Sequence, residues 1–387
     1  MLSEEERARY ARQLVMPNFG EEAQEKLAKG KVLVVGAGGL GSPVLLYLAA
    51  AGVGRIGVVD PDSVDLSNLQ RQVIHDTASL GYPKVHSAAN RVAALNPHVR
   101  VESYRGALTR ETAFQLVSNY DVVVNCVDNL STRYQLNDVC VELGKPLVEA
   151  GVMRYEGMAT TILPGVSPCY RCVFPVEPRE GSYLSPSQAG VLGVTPGVLG
   201  TIQAAEAIKL LTGLGKPLAG RLLLVDLLSM DFRCVEVSRA SNCSSCGWID
   251  DLELAKEQLR ADPVIAVAAV KSGRVLGKEA GRRLAPLLVL EGKLGEQLEG
   301  AVVADKVVGL AAAKVAIARK VRAVYGEVMS QQALNELRAA KVAARWGTLV
   351  PAIKAANGVD PCPMEQIAQQ CGTPQETLAA LRKKLGM

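Results

Sequence analysis

No apolar run in this chain of 387 residues reaches the length of a membrane-spanning helix, because charge, glycine or proline interrupts each stretch. The opening MLSEEERARYARQL is acidic and amphipathic, which is not the pattern of a secretion signal. Net charge is scarce too. Forty-three Lys and Arg against 39 Asp and Glu leave +4, which gives no case for nucleic acid as the main partner. Histidine occurs only at His75, His86 and His98, so the C-terminal part has no imidazole to offer. There is no internal repeat and no low-complexity linker, which excludes a repeat array or a tethered tail. What remains is 49% hydrophobic and 21% charged, the balance of a globular protein long enough for two or three domains. Nothing points to a membrane, and a cytoplasmic protein is expected.

Cysteine is present in number. Nine cysteines in a chain without an export signal suggest a reducing compartment, where metal binding or catalysis outranks disulfides. Four of them form two CxxC units, Cys169-Tyr-Arg-Cys172 and Cys243-Ser-Ser-Cys246. Each pair can chelate from one turn, and four thiolates close a tetrahedral Zn²⁺ site with no open position, so the expected zinc is structural. A thioredoxin-like CxxC usually opens a helix, whereas Cys169 follows Pro168 in an expected loop. Cys126, Cys140, Cys234, Cys362 and Cys371 read individually as buried small apolar residues.

The densest chemistry lies between Lys31 and Lys84. An apolar strand, Lys31–Val35, runs into the turn Gly36-Ala37-Gly38-Gly39-Leu40-Gly41, and a helix is expected over Pro43–Ala51. A turn this tight needs glycine, and it lets backbone N–H groups and the following helix N-terminus face a phosphate. A second strand, Arg55–Val59, ends in Asp60, roughly 20 residues on, where a carboxylate can accept from ribose hydroxyls. A lone glycine motif carries little, and a turn that only packs helix on strand would explain the glycines alone. The strand, the helix and the strand-end acid together predict a dinucleotide-type fold. Ser67-Asn68-Leu69-Gln70-Arg71-Gln72 and Gly81-Tyr82-Pro83-Lys84 then add cations that a nicotinamide enzyme has no evident need of, which points to ATP.

Residues 1–30 read as a helical lead-in, and strand and helix patterns then alternate as in a parallel sheet with crossovers. Asp121–Asn129 is another buried strand with a polar end, so Asp128 and Asp60 are expected to share a site at the strands' carboxyl ends. Shorter strands and loops follow Gly151. A glycine-punctuated stretch turns helical over Thr201–Lys209, and strands are expected at Arg221–Leu227 and Phe232–Ser238. The first unit is expected to span 1–247. Residues 248–387 read as a separate, smaller α/β domain with a helix at Leu252–Leu259, a strand at Val264–Val270 and a hairpin turn at Lys271-Ser272-Gly273-Arg274. Further along, Ala301–Ile317 reads as helix, Val321–Val328 as strand and Gln331–Ala340 as helix.

Residues 1–247 resemble the ThiF/MoeB/HesA family, relatives of ubiquitin-activating enzymes. The resemblance rests on Arg9-Tyr10-Ala11-Arg12-Gln13, the GAGGLG turn, Asp60, the Ser67–Gln72 segment, Lys84, Cys126-Val127-Asp128-Asn129 and both CxxC pairs. It implies a Rossmann-like doubly wound sheet with a structural zinc. It also implies MgATP-dependent adenylation of the C-terminal glycine of a small ubiquitin-like sulfur-carrier protein, with release of pyrophosphate. On this resemblance Gly36, Gly38, Gly39, Gly41, Asp60, Asn68, Arg71, Lys84, Asp128 and Asn129 bind the nucleotide. Asp60 is then on the ribose, Asn68, Arg71 and Lys84 along the triphosphate, and Asp128 with Mg²⁺. Arg71, Lys84 and Asp128 are the expected catalytic residues, joined by Arg12 from the partner of a homodimer. Elementary chemistry agrees: a terminal carboxylate is ionised near neutrality, so the task is to neutralise a triphosphate as it is approached.

Two departures matter. Several family members carry a cysteine, just before the segment matching Ala189-Gly190-Val191, that takes the carrier onto sulfur. Here the loop is Ser182-Tyr183-Leu184-Ser185-Pro186-Ser187-Gln188, with Pro186 where the thiol would be. Adenylation without a covalent cysteine intermediate is therefore expected, with sulfur arriving from a separate donor protein. The C-terminal domain lacks the rhodanese extension of some relatives. Val303–Gly309 and Asp360–Glu365 instead resemble an uncharacterised domain family of cytidine-deaminase-like fold. A zinc deaminase needs a His or Cys with a nearby Glu, then PCxxC. Here Glu365 replaces the second cysteine, Lys306 stands where the catalytic acid is expected, and no histidine is present, so deaminase chemistry is not expected. Asp305, Lys306, Cys362 and Glu365 form a polar set with either a ligand-binding or a plain structural role. Three rivals to carrier adenylation remain: a nicotinamide-dependent oxidoreductase, a nucleotide-binding adaptor and a tRNA-modifying adenylating enzyme. The first leaves Arg71, Lys84 and the CxxC pairs unexplained.

Overall fold

The computed structural model describes residues 2–179, 181–182, 186–355, 360 and 362–387, with side chains at 186 and 187 excepted. The chain divides into two compact units, Met1–Cys246 and Gly247–Met387. Among the described residues no helix is long and apolar enough to cross a membrane.

The first unit is built on strands β1 (Lys31–Val35), β2 (Arg55–Asp60), β3 (Arg100–Arg105), β4 (Val122–Asn125), β5 (Leu147–Met153), β6 (Glu156–Ile162), β7 (Arg221–Asp226) and β8 (Asp231–Glu236). Their spatial order is β3-β2-β1-β4-β5-β6-β7-β8. The first five pair in parallel, as the alternating pattern predicts, and their central members are nearly continuous apolar runs because helices cover both faces. The sheet then changes character: β5–β6, β6–β7 and β7–β8 are antiparallel. The sheet is therefore mixed, parallel where strand and helix patterns alternate and antiparallel among the strands from β5 onward. Chain order reverses between β1 and β4, so their carboxyl ends open the crevice in which such sheets bind ligands. Leu45, Leu48, Val58, Val124 and Leu199 are among the buried side chains that fill the core beneath it.

Helix Val194–Thr212 begins seven residues before the expected Thr201 and runs through Gly197 and Gly200. Gly200 is no helix breaker here. A Cβ on it would collide with the Leu40 carbonyl and lie 2.5 Å from Pro43, so its absence lets this helix pack closely on helix Gly41–Ala51.

The second unit holds β9 (Ile265–Lys271), β10 (Arg274–Ala280), β11 (Val302–Val308), β12 (Ala323–Ser330) and β13 (Ala343–Val350), in the order β10-β9-β11-β12-β13. β9 runs antiparallel to both neighbours, and β11, β12 and β13 are parallel. The stretch Ala301–Ile317, read as one helix, is strand β11 followed by Gly309 and helix Leu310–Ala318. Val302, Val303, Val307 and Val308 suit the sheet, and Gly309 marks the change of period. Helix Ile249–Ala261 covers one face of this sheet through Ala255 and Leu259. Val267, Leu288, Ala313, Val324 and Leu337 belong to the larger core.

Candidate active site

The glycine turn leaves β1 at Gly36, whose φ of +101° is a left-handed conformation that L side chains resist. A Cβ there would lie 2.7 Å from the Cys126 carbonyl oxygen. Gly41 would clash with the Gly36 carbonyl if it carried one, so both glycines serve the close approach of turn, helix and β4. Asp60 ends β2 and is buried. Its Oδ2 accepts from the Ala37 N–H (2.8 Å) and its Oδ1 from the Asp62 N–H (2.9 Å), fixing the turn against the second strand. Burial pushes the Asp60 carboxyl up, against the pull of Lys84 and those two N–H groups.

Lys84 opens helix Lys84–Leu95 and is buried, its Nζ 2.9 Å from Asp62 Oδ2. Arg71 donates from Nη1 to the Ser67 carbonyl at 3.1 Å, which curls its side chain over the segment before it. Asp128 follows β4 and stands exposed. Asn129 caps helix Leu130–Leu143, its Oδ1 accepting from the Thr132 N–H at 2.9 Å.

One cavity of about 650 Å³ gathers these groups. Gly36, Gly38, Gly39, Asp60, Arg71, Lys84, Asp128 and Asn129 all line it. Its far wall is the β5–β6 hairpin, with Gly151, Val152, Met153, Gly157 and Met158. Three expected residues are not in the lining. Gly41 is buried behind the turn, Asn68 is half-buried in the short turn Leu66–Asn68, and Arg12 is exposed on helix Ala11–Leu14.

The sequence reading missed the groups that hold the site's shape. Arg133, also in the lining, pairs with the fully buried Glu149 and donates to the carbonyls of Ala150 (2.8 Å) and Val127 (2.9 Å). Glu149 also accepts from Asn125 Nδ2 at 2.7 Å, and burial pushes its carboxyl up to about 7 against the pull of Arg133. Arg133 falls four residues after Asn129, one helical turn on, which was the available signal. Asp62, the partner of Lys84, had none beyond its closeness to Asp60.

The four CxxC sulfurs converge. All lie within 4.8 Å of one another, with Cys169–Cys172 at 3.9 Å, Cys169–Cys243 at 3.5 Å and Cys172–Cys246 at 3.4 Å. A tetrahedron with Zn–S bonds of about 2.3 Å has edges of about 3.8 Å, so the donor set fits a zinc ion. The Ala240 N–H donates to Cys172 Sγ at 3.4 Å, the kind of outer contact that steadies a thiolate ligand. Cys126 and Cys140 are buried and burial pushes both thiols up. The other three depart from expectation: Cys234 is exposed on β8, which forms the sheet's edge, and Cys362 and Cys371 are half-buried. The loop where the family thiol is missing lies largely outside the described residues, since Tyr183–Ser185 and the Pro186 side chain are not among them.

The ThiF family profile matches residues 10–246, more than half of the chain. The chain belongs to the ThiF family. A second profile, that of a domain of unknown function, matches residues 255–385. A sulfur carrier protein adenylyltransferase of Thermus thermophilus is 50% identical over 250 residues, covering 63% of this chain and 92% of that protein. The SAMP-activating enzyme E1 of Haloferax volcanii is 47% identical over 247 residues, covering 63% of this chain and 91% of that protein. The adenylyltransferase and sulfurtransferase MOCS3 of Bos taurus is 51% identical over 247 residues, 64% of this chain, but the match spans only 54% of that longer protein. Among solved structures, Escherichia coli MccB with MccA-N7isoASN has a TM-score of 0.55 at 23% identity, covering 62% of this chain and 74% of its own, which shows the shared fold.

Proposed function

We propose that the first unit adenylates the C-terminal glycine of a small ubiquitin-like sulfur-carrier protein, consuming ATP and releasing pyrophosphate. The observation that carries this reading is the composition of the cleft. Asp60, Arg71, Lys84 and Asp128 face one cavity beside a glycine turn, in a chain of the ThiF family. The glycine turn and Asp60 take the ribose and the nearest phosphates, and Asn68, Arg71 and Lys84 run along the triphosphate. Lys84 is poised for this. Its partner Asp62 is largely exposed, so phosphate can compete for a buried ammonium that water reaches poorly. Asp128, whose carboxylate takes no hydrogen bond or ion pair from any described residue, is suited to hold Mg²⁺. When bound, that ion would neutralise charge on the phosphate oxygens. The carrier's terminal carboxylate needs no general base. The carrier's glycine tail would lie along the β5–β6 hairpin, which gives Gly151, Gly157 and Met158 to the cavity wall.

Arg12 does not line the cleft of its own protomer, which supports its service to a neighbouring one in a homodimer. The four thiolates hold a structural zinc that ties residues 169–172 to residues 243–246. With Cys126 buried and proline at the family's thiol position, the carrier leaves as an acyl-adenylate and sulfur comes from a separate donor protein. We read the protein as cytoplasmic.

For the second unit we read a deaminase-like scaffold without deaminase chemistry. Glu365 accepts from the N–H groups of Leu310 (2.8 Å) and Ala311 (3.0 Å), capping a neighbouring helix. Lys306 donates to the Pro263 carbonyl. Both are engaged in holding backbone.

ATP–pyrophosphate exchange by the full chain, with and without ubiquitin-like carriers ending in glycine, tests the proposal. Exchange that requires a carrier supports it and separates it from hydride transfer, from an adaptor and from tRNA modification. Carrier-independent or absent exchange would refute it.

A further inference from the structure

We propose that His75 is a positioning residue for the nucleotide: its ring props the glycine turn from behind and ties it to the helix that carries Lys84. The inference rests on the reading of the cleft as an ATP site.

Ala37 is gripped on both sides. Its N–H donates to Asp60 Oδ2, and its carbonyl oxygen lies 2.9 Å from His75 Nε2. A carbonyl only accepts, so Nε2 carries the proton. The other ring nitrogen, Nδ1, lies 2.9 Å from Ser87 Oγ and in the neutral ring accepts from that hydroxyl. Both His75 and Ser87 are buried at 6% exposure, so water cannot replace either bond. Burial and the nearby Lys84 charge both push the imidazole down, which keeps the ring neutral and this tautomer in place near pH 7. Ala37 does not line the cavity, but its neighbours Gly36 and Gly38 do. Fixing Ala37 therefore sets the direction of the amides on either side of it. Ser87 lies three residues after Lys84 in helix Lys84–Leu95, so one ring connects the turn that faces phosphate to the base of the cation that would meet it. Glycine-rich turns are conformationally free, and a binding loop held in its bound shape beforehand spares that ordering cost on binding.

The test uses the full chain and three variants. A glutamine amide nitrogen can reach the position of Nε2 and donate to Ala37, while asparagine reaches only the position of Nδ1. His75→Asn should raise the KM for ATP and the Kd for ATP on the order of 10-fold, the usual scale for a lost buried hydrogen bond. The carrier KM and kcat should stay within about threefold on the same scale. His75→Gln should recover the ATP KM. Ser87→Ala, which leaves the turn untouched, should raise the ATP KM a few-fold, and this variant decides the matter if His75→Asn does not fold. An unchanged ATP KM in His75→Asn and Ser87→Ala, a parallel loss for ATP and carrier, or a His75→Gln no better than His75→Asn would overturn the inference. A wild-type chain that binds no ATP would instead overturn the functional reading on which it stands.

Discussion

Arg71, Lys84 and Asp128 are held by unrelated devices and still face one cavity. Arg71 leans on the Ser67 carbonyl, Lys84 on Asp62, and Asp128 on nothing described. Removing Arg71 or Asp128 strands no buried partner, and removing Lys84 leaves buried Asp60 still held by the Ala37 and Asp62 N–H groups. Arg71→Ala, Lys84→Ala and Asp128→Ala should each lower carrier-dependent exchange on the order of 100-fold or more, with unfolding midpoints near wild type. Steady-state exchange and thermal melts on the same preparations check this. In the second unit Asp305 is buried and forms no ion pair among the described residues, its Oδ1 accepting from the Val307 N–H at 2.9 Å. Burial raises its carboxyl from 3.8 to about 7. The folded state therefore keeps a proton that the unfolded state releases between about pH 4 and pH 7. Asp305 stability is fully present below that window and is lost as pH rises through it. The whole effect is on the order of a few kcal/mol. Trp248 and Trp346, the two tryptophans of the chain, both lie in this unit, so urea melts followed by their fluorescence report on it alone. Asp305→Asn should flatten the pH dependence between pH 4 and 7. At this scale the sequence showed the charged groups and hid their supports. Lys84 was legible from its motif, whereas Asp62 and His75 acquire meaning only when the chain folds back on the glycine turn.

Elements were legible where local period and tertiary demand agree. β1, β2 and the helix between them follow from an apolar run, a glycine turn and a strand-end acid, all within one stretch of chain. Val302–Val308 was misread because a short apolar run buried on both faces has no period to distinguish strand from helix; its valines and the closing Gly309 were the better guide. Gly200 misled in the other direction, since its reason is contact with a helix distant in sequence. The CxxC turns are the case in which spacing alone carried furthest, because four sulfurs from two turns must converge to share an ion. Purified protein should contain about one zinc per chain. Cys243→Ser or prolonged chelation should lower the melting midpoint of the first unit by several degrees, measured by calorimetry with elemental analysis alongside. A chain without metal and with an unshifted midpoint would contradict the structural zinc.

For the whole molecule, the open question is what completes the cleft. Arg12 is exposed and away from the lining of its own protomer, and the proposal that it serves the cleft of a second copy is open to a direct test. Chains carrying Arg12→Ala should exchange poorly, as should chains carrying Asp128→Ala. Mixed dimers of the two should regain activity, since one of their two sites then combines a wild-type Asp128 with a wild-type Arg12. No recovery on mixing, with mixed dimers verified by mass, would place Arg12 outside the reaction. The most direct measurement of the central claim is the intact mass of a carrier protein after incubation with this chain and MgATP, read under non-reducing conditions. The carrier should gain the mass of one adenylyl group (AMP less water) on its C-terminal carboxylate, with pyrophosphate formed alongside, and no carrier–enzyme adduct should appear at any cysteine. A carrier of unchanged mass under conditions where the chain is folded and binds ATP would contradict adenylation, and a stoichiometric adduct on Cys126, Cys140 or the exposed Cys234 would contradict the route without a covalent intermediate.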